Sequence, residues 1–196
     1  MSMLVSMAVF SLSMSISPGP VNFVALASGL NFGFVNSLKF VVGATVGFIA
    51  LLFLIGIGLG AAIEGFPLLM ATLKYVGCGY FIYIGYRVFI DTGSISETDT
   101  GSSIPSFTQG WLMQWFNPKA WMACLAGCAA FDVYTSELRL FQFLIIYFVI
   151  CFIGVGCWAL MGKKIKSWLV SVSHMQLFNR VMGVTLCILG VGLLVD

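Results

Sequence analysis

The sequence predicts an all-α integral membrane protein with six transmembrane helices, arranged as two inverted three-helix repeats. Hydrophobic residues make up 60% of the 196 residues and charged residues only 8%, against roughly 25% in an ordinary soluble domain. The long apolar stretches are continuous, which indicates spanning helices and not strands with alternating polarity. A proline-containing interruption recurs in two spans about half the chain apart, which predicts the inverted repeat.

The composition also excludes several classes of protein. So few charged groups could not cover the surface of a soluble globule of this size, so a soluble enzyme and a disordered chain are both excluded. The net charge is only +2, which gives no basis for electrostatic capture of nucleic acid. We expect a multi-pass protein in the lipid bilayer that binds no cofactor.

The spans follow in order from the apolar stretches and the residues that end them. A turn around Gly33 ends the first stretch, and Glu64 and Pro67 end the second. Lys74 lies near the start of the third and Arg87 near its end. Since a span needs about 20 residues, the chain accommodates six, at about residues 4–28, 39–62, 68–90, 110–131, 140–162 and 176–195.

The segment 91–109 is the only markedly polar one and is rich in Ser, Thr and Gly, which is typical of a flexible loop. We interpret residues 1–196 as a single transmembrane domain whose halves, about 1–90 and 110–196, are joined by this loop. Each half holds three spans, and because three is odd the second half must enter the membrane upside down.

The distribution of Lys and Arg predicts the orientation. The loops after spans two and four carry Arg139, with Lys74 just inside the third span. The loops after spans one, three and five carry Lys39, Arg87, Lys163, Lys164 and Lys166. The positive-inside rule therefore places these odd-numbered loops in the cytoplasm and both termini on the opposite side.

The first interruption lies in the middle of the first span. It consists of Ser17, Pro18, Gly19, Pro20, Val21 and Asn22. Each proline removes a backbone donor and clashes with the preceding turn, and glycine loosens the helix. The helix should unwind for about one turn, and the freed carbonyls need protein partners or a water-lined cavity. A simple kink is the alternative, but two prolines flanking a glycine exceed what a kink requires.

The second interruption lies in the middle of the fourth span and consists of Asn117, Pro118 and Lys119. A cation at mid-membrane is costly and by default indicates function. The alternative is that Lys119 snorkels to an interface or pairs structurally. Its position about ten residues from either end of the span argues against snorkelling.

Corresponding proline-interrupted spans in two inverted halves indicate a transporter binding site at the interface of the repeats. Broken helices offer N-terminal dipole ends to an anion and free carbonyls to a cation, and a zwitterionic amino acid presents both groups. The candidate substrate-binding residues are therefore Ser17, Pro18, Gly19, Pro20, Asn22, Asn117, Pro118 and Lys119.

Four segments carry a family resemblance: residues 17–22 (SPGPVN), 42–47 (VGATVG), 74–87 (KYVGCGYFIYIGYR) and 116–120 (FNPKA). In this order they resemble the LysE family of amino-acid exporters over essentially the whole chain. The resemblance implies efflux of amino acids or close derivatives across the bacterial inner membrane, driven by the proton gradient, and both termini would then be periplasmic. It also implies that the protein is not an enzyme.

Phe48 stands where the family often has Asp. In this the chain resembles the cysteine/O-acetylserine branch, with the homoserine/threonine branch close to it, more than the basic amino-acid branch. A small neutral amino acid is then the expected substrate. No Asp or Glu lies within a predicted span, so the residue that carries a proton stays open, as does the oligomeric state, for which a homodimer is one option.

Two alternatives in the same superfamily involve cysteine. A thiol-redox carrier would need reactive cysteines in both symmetry-related spans, and the first span has none. A metal-ion exporter would need ligands converging at mid-membrane; Cys124 and Cys128 share a helix face, but no second cluster is evident. We therefore interpret all six cysteines as small apolar packing residues: Cys78, Cys124, Cys128, Cys151, Cys157 and Cys187.

Overall fold

The computed structural model describes residues 2–59, 67–90, 104–166 and 172–195. Within them the chain is helical and contains no β-strand. Its eight α-helices are α1 (Met3–Ile16), α2 (Pro20–Phe32), α3 (Phe34–Leu54), α4 (Pro67–Ile90), α5 (Phe107–Trp115), α6 (Pro118–Ala130), α7 (Glu137–Lys166) and α8 (Val172–Val195). A π-helical turn at Ile55–Leu59 extends α3, and a 3-10 turn at Val133–Thr135 precedes α7. Most of the predicted polar loop lies outside the described residues.

Two described helices are long and apolar enough to cross a membrane, Phe34–Gly58 and Glu137–Ile165. The pair α1 and α2 passes the same test together, although its two members are bent by 61° at their break. Large apolar side chains on these helices point away from the protein, such as Leu12, Phe141 and Ile145. Lipid contact accounts for such exposure, which a soluble monomer of this size would rarely show as continuous surface.

The helix ends differ from the predicted spans in ways that have one cause. α3 begins at Phe34 and not near residue 39, so Lys39 lies within the helix and not in a loop. Likewise Lys163 and Lys164 lie in the last turns of α7. The prediction followed hydropathy, whereas lysine is a good helix former and the backbone hydrogen-bond ladder continues into these polar residues. The positive charges are therefore carried on helix ends.

Small residues let the helices approach closely. A Cβ added to Gly29 of α2 would overlap the backbone of Ala159 in α7, and one added to Gly43 of α3 would overlap the backbone of Phe107 in α5. In the third such pair, a Cβ on Gly183 of α8 would overlap the backbone of α4. These contacts seat α2 on α7, α3 on α5, and α4 on α8, as small residues do between membrane helices.

Candidate functional site

The first break separates α1, which ends at Ile16, from α2, which begins at Pro20. The prolines cause it, because neither can donate to the preceding turn and Pro20 suits the first position of a new helix. The break leaves the last carbonyls of α1 without helical donors. The predicted interruption of the first span is thus present, with a bend of 61° between the two helices.

The freed carbonyls find donors on other parts of the protein. The Asn22 amide nitrogen donates to the carbonyl oxygens of Ser15, at 3.0 Å, and Ser17, at 2.8 Å. The indole nitrogen of Trp158, on α7, donates to the carbonyl oxygen of Ile16 at 3.1 Å. Asn22 is only 5% exposed, so its two hydrogen bonds are made away from solvent.

The ammonium of Lys119 is a further donor to the carbonyls freed at the first break. Its Nζ atom donates to the carbonyl oxygen of Ser17 at 2.9 Å, the Ser17 hydroxyl at 2.7 Å and the carbonyl oxygen of Pro18 at 3.1 Å. An ammonium has three donors, so its capacity is filled by one break of the opposite half of the chain. A Cβ added to Gly19 would lie 3.3 Å from the same Nζ atom, which explains the small residue at that position.

The second break lies between α5 and α6 and has its own partners. Asn117 is the N-cap of α6, where its side-chain oxygen accepts from the Lys119 amide at 3.1 Å. Pro118 occupies the first helical position, which suits a residue without an amide proton. The indole nitrogen of Trp121 donates to the Trp115 carbonyl at 2.7 Å. These local hydrogen bonds fix the start of α6, from which the Lys119 side chain extends.

A cavity lies where the two breaks meet. It offers about 40 Å³ to the centres of water-sized spheres, room for about three waters. Its polar lining includes Ser15, Gly19, Asn22, Gln114, Asn117 and Lys119, and its apolar lining includes Met14, Val21, Phe48, Ala120, Ala123, Tyr147, Cys151 and Val155. Because Gly19 stands at the N-cap of α2, no side chain at that position covers the first amides of the helix. A negative group at this point would be favoured by the N-terminus of α2.

Aromatic rings form much of the apolar side of the cavity. The rings of Phe48 and Tyr147 are stacked with centroids 4.3 Å apart. Tyr147 packs in turn edge-on against Phe143 and Phe10. These rings keep that side rigid and free of charge.

Among the residues that the structure describes, dipoles and not an acid balance the charge of Lys119. Among the described residues the acidic side chains are Asp132 and Glu137, and neither lines the cavity. Asp132 pairs instead with Arg139 at 2.8 Å. Within this part of the chain the contacts of the Lys119 ammonium are the carbonyls and hydroxyl of the first break. A carboxylate that entered the cavity would therefore meet a cation that no described acidic residue contacts.

The structure brings together most of the residues that the sequence nominated. Ser17 and Pro18 contact Lys119 directly, while Gly19, Asn22 and Asn117 line the cavity with it. Pro20 and Pro118 begin the two new helices.

Other residues at the site were not predicted. Ser15, Gln114 and Tyr147 line the cavity, and Trp158 holds a freed carbonyl. Ser15 and Gln114 each lie within three residues of a proline motif, a signal that the sequence did contain. The position of Trp158 and Tyr147 depends on how α7 packs and has no such signal.

Comparison with known proteins gives a consistent group of relatives. The family model described as LysE type translocator matches residues 12–196. A homoserine/homoserine lactone efflux protein of Salmonella typhimurium is 22% identical over 185 residues, covering 90% of this chain and 88% of its own. A cysteine/O-acetylserine efflux protein of Escherichia coli K12 is 26% identical over 156 residues, 78% of either chain.

A third relative matches only in part. An uncharacterized membrane protein of Vibrio cholerae is 27% identical over 90 residues, which is 46% of this chain and 44% of that protein. The match thus spans less than half of the relative's length. No solved structure matches the chain.

Proposed function

Because the chain belongs to the LysE type translocator family, a family of membrane efflux proteins and not of enzymes, we propose that it exports small neutral amino acids or their derivatives. The proposed substrates are of the cysteine/O-acetylserine or homoserine/threonine type. We propose export across the bacterial inner membrane, coupled to the proton gradient. The observation that carries the proposal is the contact between the Lys119 ammonium and the freed oxygens of Ser17 and Pro18.

The proposed architecture has six spans in two inverted halves that form one transporter domain. The pairing of the helices supports it. The first broken span, formed by α1 and α2, packs on α7, which corresponds to the predicted fifth span. Helix α5 belongs to the second broken span and packs on α3, which corresponds to the predicted second span. α4 packs on α8, the third on the sixth. Exchanging the two halves maps the first two pairings onto each other and the third onto itself, as a two-fold axis in the membrane requires.

In the proposed binding mode, the Lys119 ammonium and the charged groups of the substrate exchange partners at the two breaks. In the empty site, carbonyls hold Lys119. When the substrate enters, its carboxylate attracts the Lys119 ammonium and the N-terminus of α2, since both favour an anion. The carbonyl oxygens of Ser17 and Pro18 then receive the substrate ammonium. Each charged group leaves one set of partners only as it gains another, so neither is left unpaired in the membrane.

The remaining candidate residues shape this exchange. Asn22 keeps the Ser17 carbonyl in place whether or not Lys119 is bound to it. Gly19 leaves room for the Lys119 side chain, and Asn117 fixes the start of α6. Pro20 and Pro118 keep both helices broken. Lys119 is also the proposed proton carrier, because it is the basic side chain in the cavity lining.

The proposal is tested by export from cells loaded with labelled amino acids, and by uptake into inverted membrane vesicles. The panel contains homoserine, threonine, cysteine, O-acetylserine, lysine and arginine, each measured with and without an imposed proton gradient. We expect transport of small neutral substrates that collapses with the gradient. Equal transport in vesicles without the protein would reject the proposed function. Cross-linking in membranes tests the homodimer that we include as its assembly.

A further inference from the structure

Two helices contribute no described residue to the lining of the cavity. The lining comes from α1, α2, α3, α5, α6, α7 and the two breaks, and not from the described parts of α4 or α8. Those two helices pack more extensively on each other than on any other helix. The Cys187 thiol donates to the Ile82 carbonyl at 3.7 Å, and the backbones at Gly85 and Gly183 leave no room for a Cβ between them. The described parts of α4 and α8 therefore form a unit beside the site.

A pair of buried amides joins this unit to the helices of the site. The Asn31 side chain, in the last turn of α2, donates to the Asn179 side-chain oxygen at 3.4 Å. Asn179, in the first half of α8, donates back to the Asn31 side-chain oxygen at 3.5 Å. Asn31 is only 7% exposed and Asn179 is fully buried. The two residues belong to opposite halves of the chain, so the contact links the predicted first span to the predicted sixth.

The two distances make this contact easy to break and to form again. Both are longer than the range of about 2.7–3.2 Å that is usual for N–H···O hydrogen bonds, so each bond is weak. Two separated amides in apolar surroundings would be costly, whereas water would satisfy them. The pair can therefore separate at low cost where water enters between α2 and α8. Such a contact suits a passage that is closed in one state and hydrated in another.

The amide pair lies at the end of the molecule that the charge distribution predicts to be cytoplasmic. Gly162 of α7 approaches the backbone amide of Leu30, which directly precedes Asn31, and Lys163 directly follows Gly162. At the other end of α2, about 16 Å of helix separate Pro20 from Asn31. Helix α2 thus runs from the first break, at the cavity, to the amide pair.

We propose that the Asn31–Asn179 pair is the cytoplasmic gate of the translocation path, closed in this structure and opened when α4 and α8 move as a unit away from α2. The inference rests on the proposed function, because an exporter must open its site to the cytoplasm to load substrate. With the pair intact, α8 is joined to the cytoplasmic end of α2. When the pair separates, the two amides line a polar entrance that suits a zwitterionic amino acid.

The test locks the pair in a variant whose six native cysteines are replaced by alanine. Asn31→Cys and Asn179→Cys are introduced together and bridged with a short bis-methanethiosulfonate reagent, which a reducing agent removes. Bridging should lower export by about 10-fold or more, because the cycle cannot run when one of its conformational steps is blocked. Reduction should restore most of the lost rate. A bridged protein that exports at the unbridged rate would overturn the gate although the proposed function stands.

Ser28→Cys with Ser37→Cys is the matched control in the same background. The two serine hydroxyls are 2.7 Å apart and both residues are as buried as the two asparagines. They join α2 to α3, which both line the cavity, so bridging them should leave export near the unbridged rate. Equal loss of export in both bridged variants would refute the movement of α4 and α8 relative to α2. If the parent exports no amino acid of the panel, the proposed function fails and the gate fails with it.

A second measurement uses the parent protein without substitutions. Backbone hydrogen–deuterium exchange is followed in detergent with and without the substrate that is exported fastest. Substrate should change exchange around Asn31 and Asn179, because separation of α2 from α8 exposes backbone amides there. Exchange around Gly85 and Gly183, inside the unit, should stay the same. Unchanged exchange around Asn31 and Asn179 would overturn the gate, even if the cysteine variants do not accumulate in the membrane.

Discussion

Asn22 and Lys119 donate hydrogen bonds to the same atom, the carbonyl oxygen of Ser17, at 2.8 and 2.9 Å. One donor is an amide fixed in α2, and the other is the end of a long, flexible side chain that starts in α6. The Ser17 carbonyl therefore keeps a partner when Lys119 moves away. This arrangement lets a transport cycle remove Lys119 from the first break without leaving that carbonyl unpaired.

Asn22→Ala should destabilise the protein, because the carbonyls of the buried Ser15 and the half-buried Ser17 both lose a donor, and only that of Ser17 keeps Lys119 as a second one. Leaving one buried polar group unsatisfied costs about 1–3 kcal/mol. We expect a clear fall in the unfolding midpoint in detergent. Asn36→Ala is the control, since the Asn36 amide makes one exposed bond to the Phe32 carbonyl at 3.0 Å. Equal midpoints for the two variants would contradict the described role of Asn22.

The contact between α2 and α7 predicts a difference between two glycines of α7. A Cβ added to Gly162 would overlap the Leu26 carbonyl of α2, whereas one added to Gly156 meets no atom within 4 Å. Gly162→Ala should lower the free energy of unfolding by about 1–3 kcal/mol, as overpacking does. Gly156→Ala should be neutral or slightly stabilising because alanine favours the helix. Chemical denaturation in detergent measures both, and the reverse order would refute this packing.

Replacing all six cysteines by alanine should leave export within a few-fold of the parent. Cys124, Cys128 and Cys151 are buried and free, and they pack in the main apolar core. Export of the preferred substrate at matched protein levels is the measurement. Complete loss of transport from Cys124→Ala or Cys128→Ala alone, at a normal protein level, would instead favour a thiol-redox or metal-ion mechanism.

Both termini should be periplasmic. The reason is the excess of Lys and Arg in the odd-numbered loops and the helix ends beside them, which the positive-inside rule places in the cytoplasm. Fusions at the C-terminus to a phosphatase that is active only outside the cytoplasm should be active, and fusions to a cytoplasm-dependent reporter should not. The opposite pattern would contradict the predicted orientation of the C-terminus.

The two helix breaks could be predicted from the sequence because their cause is local. Proline cannot occupy a helix interior without loss of a hydrogen bond, so Pro20 and Pro118 mark the starts of α2 and α6 whatever packs around them. Lys119 stood out for a similar reason, since a cation in a long apolar stretch has few structural uses.

The partners of the freed groups could not be predicted in the same way. That Lys119 reaches Ser17, or that Trp158 donates to the Ile16 carbonyl, depends on how helices distant in sequence are placed against each other. Helix ends were also predicted imperfectly at Lys39 and Lys163. Hydropathy identifies the residues that suit the bilayer, whereas a helix continues for as long as its backbone hydrogen bonds do.

The most direct test of the central claim is export of the preferred amino acid, measured against pH, by the parent, Lys119→Gln, Lys119→Arg and the control Lys163→Gln at matched protein levels. Lys163 is an exposed lysine near the end of α7, so its replacement should have little effect. Lys119→Gln should reduce export by about 100-fold or more, because it removes the charge of a half-buried ammonium that the proposed substrate carboxylate pairs with. Lys119→Arg should also be poor, because a planar guanidinium cannot replace a compact ammonium among three oxygens. Export by Lys119→Gln at the parental rate and with the parental pH dependence would contradict both the substrate-binding and the proton-carrying role of Lys119.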